Sequence, residues 1–363
     1  MDTALARATL ARTPGLTAPA AEALIAAAGG DLAAASRGRS IARVELPPAA
    51  RSFLSAPDER ALAADLEWLA ASGTRIVLCT DPEYPPLLRQ TAAAPAALYV
   101  QGQLPLLASR QLAMVGSRSP TPAGRSTARE FAAWFARAGF TVTSGLAIGI
   151  DAASHEGALK GDGATIAVFG TGLDQVYPSA NRALAERIRA RGALVSEFPP
   201  GTPPLKENFP RRNRIIAGLA VGTLVVEAAR RSGSLITARH ALEAGREVFA
   251  IPGSIHSPLS HGCHQLIKQG AKLVEEAKDV TDELGFSVPK ERLTDAQPAP
   301  ARPGQLDKEY EMLLDALGFE PATIDSLVAR TELPTESIAS MLLILELEGR
   351  VAALPGGRYG RIP

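Results

Sequence analysis

Hydrophobic and polar positions along this 363-residue chain fall into three regimes. Over residues 1 to 70, alanines and leucines recur at helical spacing and are interrupted at Gly15, Gly29, Gly30 and Pro47-Pro48, which predicts short helices separated by turns. Between residues 71 and 105, a strand-like run from Ile76 to Cys79 is followed by a proline-punctuated stretch and a second apolar run, Ala97 to Val100. This part reads as a connecting segment packed on the domain that follows.

From residue 106 to 285 the period alternates. Short β-branched or apolar runs (112 to 115, 140 to 144, 165 to 169, 193 to 196, 223 to 227 and 247 to 251) are separated by stretches of helical character. That alternation is the pattern of βαβ units, so the fold class is α/β, with a Rossmann-like doubly wound parallel sheet of six strands. Such sheets bind ligands beyond the carboxyl ends of their strands. Here those ends carry Gly116-Ser117-Arg118, Ser144-Gly145, Gly170-Thr171-Gly172, Ser196-Glu197, Glu227 and Pro252-Gly253. Residues 286 to 304, with Pro289, Pro298, Pro300 and Pro303, read as a linker. From 305 to 363, helical stretches followed by a short apolar run and a Pro-Gly-Gly turn outline a winged helix.

Composition narrows the class. Hydrophobic residues make up 46% of the chain and charged residues 21%, the balance of a soluble globular protein. Two cysteines cannot build a disulfide framework, no run of apolar residues is long enough to cross a bilayer, and Arg7 and Arg12 interrupt the N-terminal apolar stretch. A cytoplasmic protein with no membrane partner is expected. Lys plus Arg, 38, equals Asp plus Glu, 38, so only local charge can point to a polyanionic partner.

Three sites invite chemistry. The first strand-end loop, Val115 to Gly124, places a glycine and an arginine where a phosphate could approach. Neither it nor Gly170-Thr171-Gly172 completes a dinucleotide fingerprint, and no P-loop occurs. The second loop offers Ser144, Asp151 and His155, but without a nucleophile elbow, and Asp151 sits where a helix N-cap belongs. His256, His261, Cys263 and His264 fit no standard zinc spacing. No metal is expected.

The third, Lys206 to Arg246, is the most informative. It holds eight basic residues against Glu207, Glu227 and Glu243, a local net of 8 − 3 = +5. On a helix, Arg211 and Arg214 share a face at i and i+3, with Phe209 just ahead of the first turn. Arginines beside an aromatic ring suit single-stranded nucleic acid, the cations taking phosphates and the ring stacking on bases. Ser232 and Gly233 lead into the next helix, whose N-terminal amides could hold another phosphate. A solvated charged helix with Phe209 in the core accounts for the same residues. The C-terminal module carries ten acidic and five basic residues from 305 to 363, a net of −5, which argues against duplex binding and leaves a protein contact open.

Met114 to Arg118, Ser144 to Leu159, Thr165 to Pro178, Ser196 to Gly201, Phe209 to Ala220, Val225 to Gly253 and Ser260 to Val274 together resemble the DNA-processing protein A family, also called DprA or Smf. The resemblance spans about half the chain and its motifs stand in fixed order. It implies an extended Rossmann fold without a cofactor, a SAM-like helical N-terminal domain, and a homodimer that is not an enzyme. That homodimer binds and protects single-stranded DNA in natural transformation and loads RecA onto it, displacing or accommodating single-strand binding protein. Carried over by position, the binding residues are Gly116, Ser117, Arg118, Ser144, Gly145, Phe209, Arg211, Arg212, Asn213 and Arg214; Lys206, Ser232 and Gly233 join them from the basic run and the helix entrance read above. Arg182 substitutes for lysines that some members carry around the Tyr-Pro-x-x-Asn segment. The competing class is a Rossmann-fold nucleotide-processing hydrolase, with Glu227 as its acid or base.

Overall fold

The computed structural model describes residues 3–38, 41–288, 308–318 and 320–362. The N-terminal block folds into short helices: α1 (Thr3–Arg12), α2 (Ala18–Ala27), α3 (Leu32–Ser36), α4 (Pro48–Ser55) and α5 (Glu59–Ser72). Local chemistry sets their ends. Asp31 and Asp58 accept the first amides of α3 and α5, and Gly73, at φ 67°, stops α5 in the left-handed region.

Strand β1 (Arg75–Leu78), the single turn α6 (Pro86–Arg89) and β2 (Ala97–Gly102) follow. The central region then alternates: β3 (Gln111–Val115), α7 (Pro122–Arg137), β4 (Thr141–Ser144), α8 (Ile150–Lys160), β5 (Thr165–Val168), α9 (Arg182–Arg191) and β6 (Ala193–Ser196). It continues through α10 (Asn208–Leu219), β7 (Gly222–Val225), α11 (Ser234–Glu243), β8 (Glu247–Ala250), α12 (His261–Lys268), β9 (Lys272–Leu273) and α13 (Ala277–Glu283).

Each of the six expected runs is a strand, and they lie side by side and parallel in the order β6-β5-β4-β3-β7-β8. The sheet is wider than six strands. β9 adds a parallel edge beside β8, while β2 pairs antiparallel with β6 and β1 antiparallel with β2, giving nine strands among the described residues. The stretch read as a connecting segment therefore contributes two strands to the sheet itself. Prolines between them concealed this, because Pro82, Pro85 and Pro86 interrupt local periodicity without preventing a strand on either side.

The N-terminal helices share a continuous core with the sheet, in which Leu10, Leu24 and Leu54 pack with Leu88, Val168 and Ile215. Arg7 pins the block to the segment after β1 by donating to Asp81 at 2.8 Å, and Arg12 ties α1 to α5 by donating to Asp65 at 2.7 Å. The C-terminal module comprises α14 (Lys308–Leu317), β10 (Ala322–Thr323), α15 (Ile324–Thr331), α16 (Thr335–Leu347), β11 (Val351–Leu354) and β12 (Arg358–Arg361). Its strands form a separate sheet, β10-β12-β11, over a core of Leu313, Leu327, Leu342 and Val351, the expected winged helix. Its Gly360 lies against Pro122 at the start of α7. Most of the expected linker lies outside the described residues.

Strand order decides where a ligand can sit. From β3 the chain winds outward through β4, β5 and β6, then returns along α10 to place β7 on the other side of β3. The strand order thus reverses between β3 and β7, and the crevice above their carboxyl ends is the position at which open α/β sheets bind ligands.

Candidate functional site

A cleft of about 480 Å3 occupies that crevice. One wall is the loop after β3, with Gly116, Ser117 and Arg118. A second is the loop after β7, with Arg231, Ser232 and Gly233, running into Thr237 of α11. The third is α10, with Phe209, Arg212, Asn213 and Ile216. Eight of the fourteen residues singled out in the sequence thus converge here from three separated segments.

Arg118 and Arg231 are exposed cations at the rim. The Arg118 guanidinium stands over Phe209, 5.9 Å from the ring centre, and Tyr177 meets the same ring at 5.5 Å, tilted by 41°. Phe209 is in the first turn of α10 rather than ahead of it. Gly170 is required behind it, since a Cβ there would come within 2.9 Å of the Phe209 ring. The β3 loop is held from below: Ile150 N–H donates to the Ser117 carbonyl at 3.1 Å, and Gly149 lets the backbones close because a Cβ would lie 2.4 Å from that carbonyl oxygen.

Arg212 borders the cleft but is buried. Its guanidinium donates to the carbonyls of Gly145, at 2.7 Å, and Val168, which ties the ends of β4 and β5 to α10. Burial pushes its pKa down to about 10, against the charge of Asp151 nearby. Asp151 in turn accepts the amides of Gly145, at 3.2 Å, and Ala147, at 3.3 Å, and burial raises its pKa. It does not cap α8, whose N-cap is Gly149; its carboxylate reaches back from the first turn to the preceding loop. Ser144 is fully buried, its hydroxyl donating to the Met114 carbonyl at 2.6 Å. Ser144 and Gly145 support the cleft from beneath rather than lining it.

Arg211 and Arg214 lie on the other side of α10, where both donate to Glu197, at 3.1 Å and 2.5 Å. Arg211 also stands 5.3 Å from the Phe198 ring centre. Lys206 and Arg182 are exposed, ahead of α10 and at the start of α9, and neither lines the cleft. Ser232 and Ser234 share a hydroxyl hydrogen bond of 2.7 Å, and the amides of Leu235 and Ile236 are taken by the carbonyls of Ser232 and Gly233. The α11 entrance is therefore partly satisfied within its own turn. Arg231 is legible in the sequence only as one of the eight basic residues of its run, Thr237 carries no signal there, and an aromatic in a strand-end loop is the signal for Tyr177.

The residues named for hydrolysis are not brought together in this cleft. His155 bonds to Thr165 Oγ1 at 2.7 Å, and neither Ser144 nor Asp151 is its partner. Glu227 accepts from Thr121 through its backbone N–H at 3.0 Å and its hydroxyl at 2.6 Å. It lines a different cavity, of about 650 Å3, between the sheet domain and the winged helix. Asp151, already committed, is the acid among the residues lining the cleft. His264 and His261 bond to the carbonyls of Gly253 and Ile255, and Cys263 is buried. Among the described residues no group of three or more His, Cys, Asp or Glu is placed to hold a metal, and no helix is long and apolar enough to cross a membrane.

Comparison with known proteins agrees with the motif order. Residues 75–285 match the family model of the DNA recombination-mediator protein A, and residues 297–357 that of the DprA winged helix domain. The chain is 46% identical to the Smf protein of Escherichia coli over 312 residues, covering 85% of this chain and 83% of the other. It is 48% identical to the DNA processing protein DprA of Streptococcus pneumoniae over 206 residues, covering 57% of this chain and 73% of that one. The crystal structure of the pneumococcal protein superposes with a TM-score of 0.62 at 37% identity, covering 79% of this chain and 99% of that chain. The DNA processing protein A of Helicobacter pylori, solved for its single-stranded DNA binding mode, gives a TM-score of 0.53 at 27% identity over 58% of this chain and 95% of that chain. With a family model covering more than half its length and relatives matched across most of theirs, the chain belongs to the DNA-processing protein A (DprA/Smf) family.

Proposed function

We propose that this protein binds and protects single-stranded DNA in the cleft at the switch point, as a homodimer, and delivers the strand to RecA during recombination in natural transformation. The observation that carries the DNA reading is exposed Arg118 standing over the Phe209 ring in a cleft that exposed Arg231 also lines, a cation and aromatic pairing with no acid and base free for turnover. The reading is of a binding protein: it makes and breaks no bond and uses no cofactor. A relative solved for its single-stranded DNA binding mode supports it. Two clefts on one dimer would engage one strand, the second contact becoming intramolecular and therefore stronger in effect. RecA, single-strand binding protein and a cytoplasmic location belong to the reading through the family resemblance.

The test is fluorescence anisotropy of a labelled oligothymidine with wild type and Arg118→Ala across a salt series, competed with duplex. Binding preferred over duplex, with affinity weakened in Arg118→Ala and its log-log salt slope shallower by about 0.7 for the lost phosphate contact, is expected. Absence of binding at low salt overturns the proposal. RecA delivery is read separately, as RecA filament formation on strands covered by single-strand binding protein; no acceleration by wild type refutes that part alone.

A further inference from the structure

We infer that Tyr177 is a base-stacking residue of this interface, carrying the aromatic surface of Phe209 outward so that a second base has a platform beside the cleft. The inference rests on the single-stranded DNA reading above.

Phe209 is the ring that sequence points to, yet it is partly buried and already engaged. Arg118 covers it, Gly170 backs it and Tyr177 leans on it. The open ring is that of Tyr177, which is 50% exposed. A lone exposed aromatic means little on a protein surface. This one is continuous with a cation and a second ring, the arrangement that single-strand binders use for successive bases. The two rings are in contact, so a base stacks on the outer face of Tyr177 rather than between them.

The loop that carries Tyr177 is fixed before any ligand arrives. Thr171 Oγ1 donates to the Gln175 carbonyl at 2.7 Å, and Gly172 N–H to the Thr202 carbonyl at 3.1 Å. Asp174 accepts from Gly201 N–H at 3.0 Å, and Asn181 Nδ2 donates to the Leu146 carbonyl at 2.8 Å. A ring held in place in this way loses little conformational freedom on binding, so its stacking contributes nearly in full.

Stacking and packing are separated by removing the bases. Affinity is measured by anisotropy for an oligothymidine and for an abasic oligonucleotide of the same length, with wild type, Tyr177→Leu, Tyr177→Asn, Tyr177→Phe and Arg118→Ala. The expected result is a loss of roughly tenfold for Tyr177→Leu and Tyr177→Asn on oligothymidine, none on the abasic strand, and an unchanged salt slope. Tyr177→Phe retains wild-type affinity. Arg118→Ala weakens both strands. Equal losses on the two strands, or no loss on either, overturn the stacking role while leaving the cleft intact. Failure of wild type to bind oligothymidine overturns the DNA reading itself, and this inference with it.

Discussion

Arg214 donates to Glu197 Oε2 at 2.5 Å across the face of α10 that is turned from the cleft, and Arg211 donates to the same oxygen at 3.1 Å. The Glu197 side chain is 4% exposed and that of Arg214 17%. One nearly buried carboxylate thus holds two guanidiniums, that of Arg214 mostly enclosed and that of Arg211 half exposed.

Removing that anion leaves two like charges facing each other. Glu197→Gln is expected to lower unfolding stability by about 3 kcal/mol, as breaking a buried pair does. Oligothymidine affinity should stay within about threefold of wild type, because Glu197 does not line the cleft. Urea unfolding followed by circular dichroism, together with anisotropy, checks both halves.

Gly149 controls the cleft without touching its contents. At φ 87°, with a Cβ position 2.4 Å from the Ser117 carbonyl oxygen, it admits no side chain unless the loop bearing Arg118 moves. Gly149→Ala should weaken strand binding roughly tenfold and flatten its salt slope by about 0.7, as losing the Arg118 contact does. Wild-type affinity and slope would show that the loop position is not decisive.

Glu227 separates the binding protein from the hydrolase. Its carboxylate, whose pKa burial raises, accepts twice from Thr121 and anchors the start of α7. Glu227→Gln is expected to cost about 1 kcal/mol of stability through the weakened acceptor and to leave oligonucleotide affinity unchanged. Release of product from nucleoside phosphates by wild type, abolished by this variant, would favour catalysis.

His155 makes the fold sensitive to acid. Burial, helped by the charge of Arg212, pushes its pKa from 6.5 to about 3, so the folded protein keeps the imidazole neutral while the unfolded chain protonates it below pH 6.5. The unfolded state then binds the extra proton, and stability falls as pH drops from 6.5 towards 3 by up to about 1.4 kcal/mol per unit. Between pH 7 and pH 5 this amounts to a loss on the order of 2 kcal/mol. Asp151 and Glu227, with raised pKa values, act in the opposite direction, so the comparison is with His155→Gln, which should lack this component. Urea midpoints for both proteins at pH 7 and pH 5 measure the difference; equal pH dependence would count against it.

Local order was legible along the chain. The six central strands, the helices between them and the winged helix follow from periodicity, because burial on one face or two imposes a repeat that a window of ten residues displays. The Gly-Ser-Arg turn after β3 and the arginine-rich α10 were legible as residue types with a suitable chemistry. Strand pairing was not: β1 and β2 join β6 through contacts that prolines and sequence distance conceal.

Which arginine does what was decided by tertiary structure alone. Arg211, Arg212, Arg214 and Arg118 have the same functional group, and nothing in their neighbours along the chain distinguishes a buried tie from a free cation. The crossover of α10 turns Arg212 onto the carbonyls of Gly145 and Val168, and brings Glu197, fourteen and seventeen positions away, against Arg211 and Arg214. Arg118 is left at the rim. Sequence determined that positive charge and an aromatic ring would be present near the strand ends. Charge pairing acts over a few ångströms of space rather than along the chain, so only the folded arrangement determined which charges remain free to meet a ligand.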